Sequence, residues 1–212
     1  GAIPSITFIT PTPSNNAILA TDSITISPQV SGFVVDKFTL KFCEIAEKHV
    51  KYIVVSGFVA IAHGRRRTTE DIDMIIERIS KEQFFIFHNA LIREGFHCIQ
   101  SSKSEEIYVY LDKGDSIRYT DNTDFYPPEM EVKFVKDELD ELQMRTRKKM
   151  PFTGLDIWFS SIEFNIAFKE ELLKSLKDME DAKHLRILYK ESIDNDFIEE
   201  IKWKIRKLRL RQ

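Results

Sequence analysis

Hydrophobic positions recur with helical spacing from Asp36 onward. Phe38, Phe42 and Ile45 fall on one face of this segment, which then meets an apolar run. Apolar residues three and four positions apart lie on the same side of an α-helix. The pattern therefore predicts an amphipathic helix that ends near Val50.

Three short elements are expected after that helix, followed by a longer one. They are a buried strand at Tyr52–Val55, a short helix at Phe58–His63 and a second strand at Asp71–Glu77. The segment Ser80–Gln83 has the sequence of a capping box, in which two polar side chains satisfy amides at a helix N-terminus. It predicts a helix that stops at Gly95.

Beyond Gly95 the hydrophobic period shortens to two, which is typical of strands separated by turn residues. The expected strands are Phe96–Gln100, Ile107–Leu111, Ser116–Thr120, Met130–Val135 and Gly154–Phe159. The segment Ser160–Glu163 repeats the capping-box sequence, and helical spacing then continues through three helices. The pattern predicts an α/β (α+β) fold, with a sheet domain at 36–158 and a helical domain at 159–212.

Residues 1–35 differ from the rest of the chain in composition. They contain no Lys or Arg and carry one charged residue, Asp22, among many Ser, Thr, Pro and Ile residues. This composition favours an extended N-terminal arm or a leader. Strand-like alternation within the segment leaves open an arm that adds a strand to the sheet of a neighbour.

Composition narrows the class of protein only in part. The chain has 212 residues and a formal net charge of -3, so no overall basic field points to nucleic acid or to a membrane surface. No apolar run approaches the roughly 20 residues of a membrane span. Its two cysteines, Cys43 and Cys98, form no zinc-binding pattern. A reducing, cytoplasmic setting is the expectation.

The chemistry of the chain concentrates between Tyr52 and Glu77. A Ser56-Gly57 turn ends one apolar run, and Asp71 and Asp73 open the next at alternate positions. Alternate residues of a strand share a face, so the two carboxylates are expected to lie together, where their oxygens suit Mg²⁺. The small-residue turn lets a phosphate approach backbone N–H groups.

These residues resemble the signature of the nucleotidyltransferase superfamily, which has the DNA polymerase beta type fold. That signature is a Gly-Gly or Gly-Ser turn, two carboxylates flanking an apolar residue, and a later apolar–carboxylate–apolar strand, for which Met130-Glu131-Val132 is the match. Ala62-His63-Gly64 with Arg67 is similar to the branch that includes abortive-infection toxins. So are the helical residues Lys169, Lys177-Asp178 and Asp181. The resemblance covers residues 52 to about 190.

The resemblance implies a nucleotidyltransferase-type mixed sheet flanked by helices, and an enzyme that uses a nucleoside triphosphate (NTP) with two Mg²⁺ ions. Catalytic roles fall to Asp71, Asp73, Glu131, Lys169 and Asp178, of which the first three are the metal ligands. Nucleotide-binding roles fall to Ser56, Gly57, Arg67 and Lys169. Glu129 shares the strand face of Glu131 and is the alternative third acid. This chain departs from the family pattern in its Ser-Gly turn and in having Glu as the third acid.

The acceptor and the partners stay open at this stage. The matching branch implies a toxin-like enzyme acting on tRNA or another RNA, with an antitoxin protein as partner. A small-molecule acceptor, such as an antibiotic, is the second hypothesis. The third is an inactive relative that binds nucleotide or a partner protein. For single residues, Arg65–Arg67 can be a solvated loop, and an isolated helical lysine such as Lys169 is usually exposed.

Overall fold

The computed structural model describes residues 28–66, 69, 71–121 and 128–210. Within these residues one mixed sheet is flanked by helices. The strands are β1 Tyr52–Val55, β2 Asp71–Ile76, β3 His97–Cys98, β4 Ile117–Thr120, β5 Glu129–Phe134, β6 Lys148–Lys149 and β7 Trp158–Phe159. The helices are α1 Pro28–Glu47, α2 Gly57–Ala62, α3 Lys81–Arg93, α4 Ser104–Asp112, α5 Glu138–Arg145, α6 Ile162–Phe168, α7 Leu176–Leu188 and α8 Asn195–Arg209. A π-helical turn at Lys169–Leu173 follows α6.

The strands of the sheet lie in the order β3-β4-β5-β2-β1-β7-β6. The pairs β2–β5 and β1–β7 are parallel, and the other neighbouring pairs are antiparallel. Strands β2 and β5 are therefore central neighbours although more than fifty residues separate them in the chain. This pairing decides which side chains meet at the candidate site.

One face of the sheet is buried against α1, α3 and α4. Phe42 of α1 lies at the centre of this core, with its ring 6.3 Å from that of Phe87, 5.1 Å from that of Phe96 and 5.6 Å from that of Tyr119. All four side chains are fully buried or nearly so. Because burying one such side chain contributes about 1.5–3 kcal/mol, this aromatic cluster holds the helical layer on the sheet.

Several local predictions are confirmed. Strands β1 and β2, the short helix α2, and strands β4 and β5 lie where the hydrophobic pattern puts them. The capping box of α3 is present in full, since Ser80 Oγ accepts from the Gln83 amide at 3.2 Å and Gln83 Oε1 accepts from the Ser80 amide at 3.0 Å. The C-terminal segment forms the expected helices, and the mixed α/β architecture is the predicted one.

The strand predicted at Ile107–Leu111 is wrong, because this segment belongs to α4. Its Ile, Tyr and Val residues favour a strand by propensity. Ile107 and Leu111, four residues apart, are both fully buried, while Val109 and Tyr110 are exposed. Packing against the sheet and α3 therefore selects the helical period over the local preference.

Other element boundaries also differ from the predictions. Helix α1 begins at Pro28 rather than near Asp36, so the prediction of an extended arm at 1–35 is wrong for residues 28–35, which are helical. Residues 1–27 of that arm lie outside the described part of the chain. Only Trp158–Phe159 of the strand predicted at Gly154–Phe159 is a strand. Helix α6 is capped by Ser161, whose hydroxyl accepts from the Phe164 amide, rather than by Ser160. Helix α5 is absent from the prediction.

Two predictions about the whole chain can be compared with the structure. In the described part of the chain no helix is long and apolar enough to cross a membrane. Cys43 and Cys98 are both buried and are not joined in a disulfide. The cellular location stays a prediction.

Candidate active site

The acidic residues of β2 and β5 lie side by side on the sheet face that points away from α1 and α3. Asp71 is paired in register with Glu129, and Asp73 with Glu131, in the parallel β2–β5 ladder. Neighbouring strands are about 4.8 Å apart, and alternate residues share a face. The structure thus brings the predicted site residues Asp71, Asp73 and Glu131, together with the alternative Glu129, to one end of the sheet.

An arginine that the sequence pattern did not single out completes this group. Arg118 of β4 is the antiparallel register partner of Glu131. Its Nε and Nη2 atoms donate to Glu131 Oε2 at 3.2 and 3.1 Å, and its Nε lies 3.7 Å from Glu129 Oε2. The third acid is therefore already paired with a cation of the chain itself.

The charge of Asp73 is held in an unfavourable environment. Burial raises the pKa of its carboxyl group above the ordinary value, and the negative charges of Glu131 and Asp71 act in the same direction. Lys133 and a hydrogen bond from the Ser56 hydroxyl lower the pKa without cancelling the rise. A cation bound beside Asp73 would offset this cost.

The Ser56-Gly57 turn joins β1 to α2 directly beside Asp73. Ser56 has φ 64° and ψ -135°, a backbone conformation that favours glycine. A side chain in this region costs free energy, and such strain is found at ligand-binding sites. The family turn that the sequence resembles has glycine at the corresponding position, so the departure noted from the sequence is also a strained position.

Two substitutions of Ser56 are expected to separate strain from hydrogen bonding. Both Ser56→Ala and Ser56→Gly remove the hydroxyl that contacts Asp73, but only glycine relieves the positive φ. We expect the alanine variant to be less stable than the glycine variant by about 1 kcal/mol. Urea unfolding of the two variants measures the difference. Equal stabilities, or a more stable alanine variant, would contradict strain at this turn.

Lys169 is buried, so the expectation of an exposed helical lysine is wrong. Its side chain is 1% exposed, and its Nζ lies 2.9 Å from Asp181 Oδ2 and 3.2 Å from Asp178 Oδ1. Burial acts to raise the pKa of Asp178, but hydrogen bonds from Ser175 and Lys169 outweigh it and hold the pKa below its ordinary value. Lys169 and Asp178, both predicted to be catalytic, thus form one ion-paired cluster with Asp181.

The basic loop after α2 contacts the same cluster. Arg65 pairs with Glu180, and its Nε lies 3.4 Å from Asp181 Oδ1. His184 of α7 also contacts the carbonyl of His63 at 2.9 Å. The solvated-loop alternative is therefore wrong for Arg65, which ties α2 to α7. Arg67, the predicted nucleotide contact, lies outside the described residues.

A cavity of about 390 Å³ separates the open sheet face from the C-terminal helices. Its volume is within the range of small-molecule sites. The cavity wall includes residues from the strands, from the turn after β1 and from α6 and its π-helical turn. Among these residues are Ser56, Asp73, Lys133, Asn165, Phe168 and Lys169.

Two functional candidates were missed in the sequence, for different reasons. Lys133 stands two residues after Glu131 on the same strand, so its position on the acidic face followed from the period of two. Arg118 sits on a strand whose partner was unknown, and no local signal places it opposite Glu131. The sequence alone is therefore enough to place Lys133 on this face, whereas the position of Arg118 depends on the strand order.

The fit of these residues to Mg²⁺ can be judged from their donor chemistry. No group of three or more His, Cys, Asp or Glu side chains is arranged to hold a metal ion within residues 28–66, 69, 71–121 and 128–210. Asp71 and Asp73 nevertheless offer adjacent hard oxygen donors of the kind that Mg²⁺ takes. The Asp pair therefore fits one ion, while Glu131 is engaged by Arg118.

Comparison with known proteins places this geometry in a fold class. No protein-family model and no curated protein sequence matches the chain. Its fold is similar to that of the antibiotic-resistance factor ANT(2'')-Ia, a member of the nucleotidyltransferase superfamily. The sequence of that protein in its solution structure is 13% identical to this chain. The match covers 83% of this chain and 93% of that one, and the TM-score is 0.53.

A second solved structure of ANT(2'')-Ia has a similar degree of likeness to this chain. The crystal structure of ANT(2'')-Ia in complex with adenylyl-2''-tobramycin is 14% identical, with a TM-score of 0.51. The match covers 82% of this chain and 97% of that one. The seven-stranded mixed sheet of the described residues, flanked by helices and followed by C-terminal helices, thus has the fold of these nucleotidyltransferases.

Proposed function

We propose that the protein transfers a nucleotidyl group from an NTP to a hydroxyl group of a small molecule. One observation carries the proposal: Asp71, Asp73 and Glu131, drawn from two strands, lie together at one end of the open sheet face, and Asp73 also lines the cavity. Nucleotidyl transfer needs a triphosphate held in line with the acceptor hydroxyl and relief of the developing charge. The similar fold of ANT(2'')-Ia supports the same reading.

Each residue of the site has a role in this proposal. Asp71 and Asp73 hold Mg²⁺, which supplies charge neutralisation on the phosphates when it is bound. Ser56, Gly57 and Lys133 orient the triphosphate, the turn through its backbone N–H groups and the lysine through its charge. Glu131 accepts the proton of the acceptor hydroxyl.

Lys169 and Asp178, unlike the residues above, do not contact the reacting groups in this proposal. The Lys169 ammonium group is enclosed by Asp178 and Asp181, although the side chain lines the cavity. We propose that this ion-paired cluster anchors to α7 the cavity wall formed by α6 and its π-helical turn, rather than carrying charge to the reacting atoms. The nucleotide contact of Arg67 stays a prediction from the family resemblance.

The support for a small-molecule acceptor comes from the comparison rather than from the site. The crystallised ANT(2'')-Ia complex contains an adenylylated antibiotic, which favours the small-molecule hypothesis over an RNA acceptor. The tRNA acceptor and the antitoxin partner, expected from the toxin-like branch, stay predictions. Neither has a supporting observation in the described residues.

One experiment separates these functions. The protein is incubated with each of the four NTPs labelled at the α-phosphate, with Mg²⁺, and either with a panel of hydroxylated small molecules that includes tobramycin or with total RNA. We expect label to appear on a small molecule. Label on RNA alone would support the toxin-like hypothesis. An absence of transfer and of Mg²⁺-dependent NTP binding in calorimetry would indicate an inactive relative.

A further inference from the structure

The candidate site contains a lateral row of side chains across four adjacent strands. In register, Val55 of β1 opposes Asp73 of β2, Asp73 opposes Glu131 of β5, and Glu131 opposes Arg118 of β4. Residues in register on neighbouring strands share a face, so Arg118 belongs to the same surface as the acids. The row therefore ends at Arg118, a cation that lies next to Glu131.

The contacts of Arg118 engage one of the carboxylate oxygens that a second metal ion would need and place a positive charge beside it. Two of its nitrogens donate to a single oxygen of Glu131, at 3.2 and 3.1 Å, and its Nε is also 3.7 Å from Glu129. A guanidinium placed this way repels a divalent cation at the same carboxylate.

The acidic face of β2 and β5 already contains cations of the chain itself. Four carboxylates, those of Asp71, Asp73, Glu129 and Glu131, share the face with two cations, Arg118 and Lys133. Arg118 pairs directly with Glu131, which leaves less uncompensated negative charge there for a second divalent ion.

We infer that the site binds one Mg²⁺ ion, at Asp71 and Asp73, and that Arg118 takes the place of a second ion at Glu131. The inference rests on the proposed function, since it concerns the metal of that same site. It departs from the two-ion arrangement expected from the family resemblance. It also assigns Arg118 as a positioning residue that fixes the Glu131 carboxylate.

Electron paramagnetic resonance of bound Mn²⁺ tests the number of ions without relying on activity. The protein is mixed with an equimolar, non-hydrolysable α,β-methylene NTP analogue and titrated with Mn²⁺. Two ions about 4 Å apart would give a spin-coupled spectrum, whereas one ion would not. We expect one uncoupled ion in the wild-type protein and two coupled ions in Arg118→Gln. Arg93→Gln, an exposed arginine on α3, is the matched control and should behave as wild type.

A second variant protects the test against misfolding of the first. If Glu131 is not a metal ligand, Glu131→Gln keeps the Mn²⁺ affinity of the wild type. A loss of more than about 100-fold exceeds the effect of a residue that only surrounds the ligands. It would show that Glu131 binds the ion, and would overturn the inference.

The other possible results of the Mn²⁺ titration also test the inference. Two coupled ions in the wild type would overturn the inference and leave the proposed function intact. One ion in both the wild type and Arg118→Gln would overturn the role of Arg118. Failure of every variant to bind Mn²⁺ and the analogue would overturn the proposed function and the inference together.

Discussion

Replacing Asp73 with asparagine is expected to reduce nucleotidyl transfer by about 10³-fold or more, the size of effect that follows loss of a charge-stabilising group in phosphoryl transfer. Asparagine keeps the shape of the side chain but removes the charge that would hold Mg²⁺. Transfer of label from an α-labelled NTP, measured at saturating NTP and Mg²⁺, checks the result. Asp156→Asn makes the same chemical change at an exposed carboxylate near β7 and should leave transfer unchanged.

Stability measurements on the same variant distinguish lost chemistry from a lost fold. Burial raises the pKa of Asp73 in the folded protein, so its ionised form destabilises the fold at pH values above that pKa. A neutral asparagine removes this penalty, and we expect the free energy of unfolding at pH 7 to rise. A variant that keeps full transfer activity would contradict the metal-binding role, whatever its stability.

Replacing Lys169 with methionine is expected to destabilise the protein by about 3 kcal/mol or more. The substitution leaves Asp181, which is fully buried, without the ammonium group that lies 2.9 Å from its Oδ2. Arg65, 3.4 Å from the other oxygen, compensates only in part. The midpoint and slope of urea unfolding give the change in free energy.

A matched control and a double variant show whether the ion pair is responsible. Lys177→Met changes an exposed lysine of α7 and should alter stability by less than about 0.5 kcal/mol. Adding Asp181→Asn to Lys169→Met removes the uncompensated charge and should recover part of the loss. A loss below about 1 kcal/mol in Lys169→Met alone would be the size of an exposed pair, and would contradict a structural role for the cluster.

Local sequence patterns predicted the elements whose signals are complete within a few residues. The capping box at Ser80, the buried run of β1 and the alternation of β5 each depend on neighbours in the chain. Helix α4 was missed because the preference of its Ile, Tyr and Val residues for strands is local, whereas the burial of Ile107 and Leu111 depends on contacts with distant elements. Tertiary packing outweighs a propensity worth a fraction of a kcal/mol per residue.

The candidate site likewise has some features that the local sequence predicts and others that only the tertiary structure decides. Alternation along each strand is enough, from the sequence alone, to put Asp71 and Asp73 on one face of β2, and Glu131 and Lys133 on one face of β5. Only the strand order joins those two faces and brings Arg118 to Glu131, because pairing between distant strands depends on the whole core. The burial of Lys169 likewise depends on the packing of α6 against α7. The chain by itself determined which acids are available, and the tertiary structure decided which cations neutralise them, since electrostatic partners are set by distance in space rather than along the sequence.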